Sequence, residues 1–280
     1  MKKNVLCGLS VSLMVVFGSS LAAVDTHAKI ECELQPIVRG GSSEAGDVSS
    51  GKGSYRLDGL LESSSTNWSG YAAILNSRNI NNTVTAVTGT WIVPALSPTP
   101  DNAYSSIWVG IDGYSNGTVE QIGTEQDWIN GTQQNYAWFE MYPAGAYLIV
   151  GFPVQVGDVI TAYVRYMSRN TFQLTIYNNT KRVYAVIPSS YTQSSRALRS
   201  SAEWIVEAPS SNTGVLPLAH FNNATFGNCY ATISLSTGAI NFPFWKHDQL
   251  TMVTPTGTVK ALPSNLTPNG AGFTVAWEHE

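Results

Sequence analysis

From about Asn67 onward this chain is written in alternation. Thr171-Phe172-Gln173-Leu174-Thr175-Ile176 puts an apolar residue at every second position, and Val159-Ile160-Thr161-Ala162-Tyr163-Val164-Arg165-Tyr166 is a run dominated by β-formers. A period of two lines the opposite faces of a strand, whereas a helix needs a recurrence near 3.6. Turn residues cut the runs at short intervals, at Gly157-Asp158, Asn178-Asn179 and Thr256-Gly257. Only Tyr191 to Glu203 tolerates a helix, and its serines argue against one. Closely spaced strands without helical partners build an antiparallel β-sandwich or barrel.

Composition narrows the function. Only 12% of residues are charged, so the surface is polar rather than ionic, and eight Trp, thirteen Tyr and nine Phe supply a large core. The net charge of -4 comes with no stripe of Lys and Arg, which excludes nucleic acid as a partner. Lys2 and Lys3, the apolar stretch from Val5 to Ala23 and the small residues at Ala22 and Ala28 have the layout of a secretory signal peptide. The expected product is a secreted, extracellular protein with no membrane association after signal removal, acting as a monomer. Residues 1–28 are expected to be the signal peptide. Residues 29–62, with Gly40-Gly41-Ser42-Ser43 and Ser49-Ser50-Gly51-Lys52-Gly53, read as a propeptide or disordered N-terminal extension. Residues 63–280 form the β-sandwich domain. Cys32 and Cys229 remain after signal removal and could pair in an oxidising compartment.

Several chemistries drop out. The histidines left after signal removal, His220, His247 and His279, show no metal-ligand spacing, so neither a metal nor a cofactor is expected. Gly113-Tyr114-Ser115-Asn116-Gly117 matches a nucleophile-elbow pattern, but such an elbow must lead into a helix. Here it leads into Thr118-Val119-Glu120-Gln121-Ile122, which reads as a strand, and a hairpin turn is expected instead.

Carboxylates are scarce and therefore informative. In Ala202-Glu203-Trp204-Ile205-Val206-Glu207, strand geometry turns Glu203, Ile205 and Glu207 to one side and Ala202, Trp204 and Val206 to the other. Trp138, Glu140 and Tyr142 share a face, as do Val119, Gln121 and Glu125. Carboxyls and amides beside aromatics suit a substrate cleft on a curved sheet, or else a solvated outer face. Glu203 and Glu207 lie roughly 13 Å apart along one strand, too far to serve alone as a glycosidase pair. A peptidase needs an activated water and a donor for the developing oxyanion, which one carboxylate and one amide supply. A non-catalytic carbohydrate-binding, lectin-like sandwich and a glycosidase on the same architecture are the alternatives.

Six stretches then occur in one order: Asn67-Trp68-Ser69-Gly70-Tyr71; Val87-Thr88-Gly89-Thr90-Trp91-Ile92-Val93-Pro94; Trp108-Val109-Gly110-Ile111-Asp112-Gly113; Glu120-Gln121-Ile122-Gly123-Thr124-Glu125; Ala137-Trp138-Phe139-Glu140-Met141-Tyr142-Pro143; and Ala202-Glu203-Trp204-Ile205-Val206-Glu207. In this order the chain resembles the eqolisin family of glutamic peptidases. The resemblance implies an all-β, antiparallel β-sandwich of the concanavalin/lectin-like jelly-roll kind, with a cleft on the concave sheet. It implies a secreted acid endopeptidase, made as a zymogen and acting on protein or peptide substrates. The catalytic pair falls on Gln121 and Glu207. Trp68, Trp108, Asp112, Glu140 and Tyr142 fall in or near the cleft, with Glu203 and Glu125 as supporting carboxyls. The chain departs from the pattern at Tyr136, where some fungal members carry an acid, and in lacking the cysteine pair that some members use to tie the loop after Asp112.

Overall fold

The computed structural model describes residues 10–11, 27–37, 48–49 and 60–280, and every described element is a strand or a loop. The expected signal segment lies outside these residues, apart from 10–11 and 27–28. So do both glycine- and serine-rich stretches of the extension, except Ser49.

The alternation seen in the sequence becomes two facing sheets. The first runs through Val48–Ser49, Leu60–Ser65, Trp245–Val253, Trp68–Leu75, Ser201–Glu207, Ala103–Ile111, Val119–Ile129, Thr132–Tyr142, Tyr147–Val150 and Glu33–Pro36. All pairings are antiparallel except that of Leu60–Ser65 with Trp245–Val253, which is parallel. The second sheet runs through Val183–Val186, Thr171–Asn178, Val159–Ser168, Val84–Ile92, Asn223–Ile233, Phe273–Trp277 and Val259–Pro263. Among the described residues the strand ladder passes from one sheet to the other at the corner where Met252 pairs with Ala261 beside a register shift. This is the β-sandwich expected from the sequence.

Between the sheets lies one large apolar core. Val109, Ile122, Phe139 and Trp204 of the first sheet meet Val87, Trp91, Ile160, Leu174 and Phe226 of the second. Two indoles tie the layers together: Trp204 Nε1 donates to the Thr88 carbonyl at 2.8 Å, and Trp91 Nε1 to Thr124 Oγ1 at 2.9 Å. Gly89 makes the first tie possible, because a Cβ there would stand 2.9 Å from Trp204 Cδ1. The segment from Tyr191 to Ser200 is loop rather than helix, and the Gly113–Gly117 stretch is a hairpin connection between Ala103–Ile111 and Val119–Ile129.

The described part of the N-terminal extension is also extended chain. Ala28–Lys29 runs parallel to Val183–Tyr184 on the second sheet, and Glu33–Pro36 adds an edge strand to the first. Cys229 is a fully buried free thiol and is not paired with Cys32.

Candidate active site

The outer face of the first sheet carries a polar and aromatic floor whose geometry comes from strand register. Residues directly opposed across neighbouring strands form rows. One row reads Asp248, Ala72, Glu203, Gly110, Gln121 and Glu140. The next reads Leu250, Gly70, Ile205, Trp108, Gly123 and Trp138, and the third Trp68, Glu207, Ser106, Glu125 and Tyr136. The facing inferred from alternation holds: Ala202, Trp204 and Val206 join the inter-sheet core, while Ile205 joins a separate cluster with Trp68, Ala72, Trp108, Val119, Trp138 and Leu250. Tyr142 and Tyr114 pack against that second cluster.

Gln121 and Glu207 stand on a diagonal of this floor, with Trp108 on the strand between them. The indole Nε1 of Trp108 donates to Glu207 Oε2 at 2.7 Å, and Asn67 Nδ2 reaches Oε1 at 3.4 Å. Trp68 meets Trp108 edge-on, with ring centroids 4.9 Å apart. Asn67 is itself set by the tight corner before its strand, where the Ser65 hydroxyl contacts the Asn67 side chain at 3.1 Å and accepts from the Trp68 N–H at 3.1 Å. Burial pushes the Glu207 carboxyl well above the usual range. The charges of Glu140 and Glu125 push it the same way, and the bond from Trp108 opposes them.

The amide of Gln121 is oriented by its directly opposed neighbour. Nε2 donates to Glu140 Oε2 at 2.8 Å, and Oε1 is buried with no hydrogen-bond donor among the described residues. Gly110 keeps the space between Gln121 and Glu203 clear, since a Cβ there would lie 3.2 Å from Gln121 Cβ and 2.9 Å from Trp108 Cζ3.

The remaining sequence candidates fall into distinct settings. Glu203 is buried with its pKa raised well above the ordinary value by desolvation, the Ser201 hydroxyl acting against the shift and the charges of Asp112 and Glu120 with it. Glu125 is buried opposite Ser106 and Tyr136. Asp112 is a loop clamp. It takes a left-handed backbone, φ 71°, which Asp tolerates, and its carboxylate accepts from the Arg199 and Ser200 backbone N–H groups at 2.6 and 2.8 Å and from Asn116 Nδ2 at 2.7 Å. Tyr142 presents its carbonyl to Gln193 Nε2 at 2.7 Å, and the same amide donates to Glu120 Oε1 at 2.7 Å.

Sequence reasoning did not single out three site residues. Asn67 holds the catalytic candidate, and its only signal was its place in the first matched stretch. Asp248 is buried on the floor, accepts from the Tyr114 hydroxyl at 2.6 Å and has its pKa raised by burial. Neither Asp248 nor Tyr114 shows a local pattern that would have flagged it. Among the described residues, no group of three or more His, Cys, Asp or Glu is placed to hold a metal ion.

The floor is covered. Gln121 and Glu207 each expose only 1% of their surface. The edge strand Glu33–Pro36 leads into Ile37, whose N–H bonds the Ala146 carbonyl at 2.9 Å and whose side chain packs against the floor cluster.

Comparison with known proteins matches this geometry to a family. The model of the Peptidase A4 family matches residues 66–260. Aspergillopepsin-2 of Aspergillus niger is 30% identical over 203 residues, covering 65% of this chain and 70% of that protein. Two solved structures share the fold. A scytalido-glutamic peptidase bound to a transition state analog inhibitor has a TM-score of 0.64 at 23% identity, covering 76% of this chain and 98% of its own. The aspergilloglutamic peptidase of Aspergillus niger has a TM-score of 0.56 at 27% identity, covering 63% of this chain and 99% of its own. With the fold, the ordered motifs and the matched span in agreement, the chain belongs to the Peptidase A4, or eqolisin, family of glutamic peptidases.

Proposed function

We propose that this peptidase is a secreted acid endopeptidase whose reaction is carried by Glu207 and Gln121. The observation that carries the reading is the pairing of restraints: Trp108 and Asn67 hold the carboxyl of Glu207, and Glu140 holds the amide of Gln121, on one face of one sheet. Ionised Glu207 takes a proton from water as the water oxygen bonds to the scissile carbonyl carbon. The N–H of Gln121 not engaged by Glu140 donates to the developing oxyanion. The proton on Glu207 then passes to the leaving nitrogen as the C–N bond breaks, which returns the carboxylate. No covalent intermediate forms.

The same floor supports acid service. Covered, Glu207 holds its proton through the acid range; it serves as a base there once removal of the covering segment relieves the burial that raises its pKa. Above that range, Glu203 and Asp248 must ionise in a buried setting, which weakens the fold. The covered floor supports synthesis as a zymogen, with the segment that places Ile37 against the cluster removed to open the cleft. The domain then begins near residue 63.

The test is Glu207→Gln, assayed on denatured haemoglobin or casein in acid. Loss of hydrolysis with an unchanged melting transition is expected. Hydrolysis at the wild-type rate would remove Glu207 from the reaction.

A further inference from the structure

A second feature lies at the same end of the sheet as Glu207. An open cavity of ≈ 380 Å³ is lined by Thr66, Val215, Val253, Thr254, Pro255 and Lys260. Its walls are continuations of the segments that hold the catalytic carboxyl. Thr66 is the tip of the corner between Ser65 and Asn67, and Asn67 Nδ2 reaches Glu207. Val215 belongs to the small hairpin of Ser210–Ser211 and Gly214–Val215, which begins three residues beyond Glu207. The Ala208 N–H bonds the Asn67 carbonyl at 2.9 Å and fastens these walls to each other.

One charged group lines this otherwise apolar and hydroxyl-bearing space. Lys260 is 8% exposed, and its ammonium makes no hydrogen bond among the described residues; Glu280, at the end of the chain, is the charge that acts on it. The ammonium borders an open cavity rather than being sealed from water, and a carboxylate brought beside it there gains a charge-assisted hydrogen bond in partly desolvated surroundings. Burial lowers the pKa of Lys260 from its ordinary value, yet in acid the group stays cationic.

We propose that this cavity is a substrate subsite for a carboxylate on the bound peptide, with Lys260 as its counter-ion and Val215, Val253 and Pro255 as its apolar walls. The inference rests on the peptidase reading of Glu207, because the subsite flanks that residue. The carboxylate is either an acidic side chain near the scissile bond or the α-carboxylate at the peptide's C-terminus. Both present the same group to Lys260.

The experiment compares matched quenched-fluorescence peptides on wild type, Lys260→Met and Lys260→Gln, each expressed as the full chain and processed in acid before assay. One arm scans cysteic acid, ionised throughout the acid range, against Asn at each position around the scissile bond. The other compares free C-terminal acid with C-terminal amide. Wild type should favour the anionic member of one pair by roughly tenfold or more in kcat/KM, the order expected of a hydrogen bond to a charged group. Both variants should lose that preference, mainly through KM. The arm that responds identifies the source of the carboxylate. A wild type with no anionic preference in either arm, or a preference that both variants retain, overturns the subsite. Hydrolysis of the neutral peptides reports separately on the peptidase reading: if wild type leaves every peptide intact, that reading has failed rather than the subsite. Two substitutions of different polarity keep the test open should one fail to fold.

Discussion

Glu140 and Gln121 are directly opposed on neighbouring antiparallel strands, and the carboxyl of the first accepts the amide N–H of the second at 2.8 Å. An amide can flip end for end, and this bond decides which end is the donor. The charge of Glu140 also raises the pKa of Glu207, so one buried side chain acts on both members of the proposed pair.

Replacing Glu140 therefore separates orientation from charge. Glu140→Gln keeps an acceptor for Gln121 Nε2 but removes the charge. The acidic limb of the kcat/KM profile should move to lower pH, because the Glu207 pKa falls. Glu140→Ala removes both, and kcat should fall roughly 10–10²-fold with KM little changed, as expected when a catalytic group loses its alignment. A Glu140→Gln profile that superimposes on wild type would rule out the electrostatic role.

Trp108→Phe should displace the same limb in the opposite direction. The ring stays, but the N–H that donates to Glu207 Oε2 at 2.7 Å is lost. That bond favours the ionised carboxyl, so its removal raises the Glu207 pKa and moves the limb to higher pH. pH–rate profiles of this variant and Glu140→Gln should lie on either side of wild type.

Stability should fall as the medium approaches neutrality. Burial raises the carboxyls of Glu120, Glu203 and Glu207 well above the usual range and raises Asp248 as well. Below the unfolded-state values of about 4 both states hold these protons, and the contribution of the raised groups is complete. As pH rises, the unfolded chain releases the protons first while the folded chain retains them, so the unfolding free energy declines. Asp158 works the other way. Burial opposes its ionisation, but Lys181, Asn178 and the Gln155 N–H together hold its pKa below the ordinary value. It contributes stability above about pH 4 that is lost in stronger acid. With more groups raised than lowered, the melting temperature should be higher near pH 4 than near pH 7. A higher value near neutrality would contradict this balance.

Ile37 offers a test of the covered floor. Ile37→Asp places a carboxylate against the apolar cluster of Trp68, Trp108, Trp138 and Leu250, which disfavours the contact. Peptidase activity of the unprocessed Ile37→Asp chain should rise toward that of a chain lacking residues 1–62. Equal activity of the wild-type full-length and shortened chains would show that the segment does not block the floor.

Much of the site was readable from the order of residues, because a strand's two faces are set by its own alternation. Glu203, Ile205 and Glu207 could be set against Ala202, Trp204 and Val206 with no knowledge of neighbouring strands. The turn at Gly113–Gly117 could be told from a nucleophile elbow by the strand-forming residues Thr118 to Ile122 on its C-terminal side. Asp112 illustrates the limit. Its stretch marked it for the cleft region, yet its carboxylate is engaged by Arg199 and Ser200, which lie 87 and 88 residues further along the chain.

The sequence alone thus determined class, facing and family: local alternation states which side of a strand is apolar, and the ordered motifs state which peptidases the chain is like. Only the tertiary structure decided adjacency. Glu207 owes its neighbours to Ser201–Glu207 lying between Trp68–Leu75 and Ala103–Ile111, so that Asn67, 140 residues away in the chain, touches its carboxyl. The floor's rows, the cavity beside Lys260 and the contact of Ile37 arise the same way. Strand register is a non-local choice, settled when the two sheets bury their shared core, and no short window of sequence contains it.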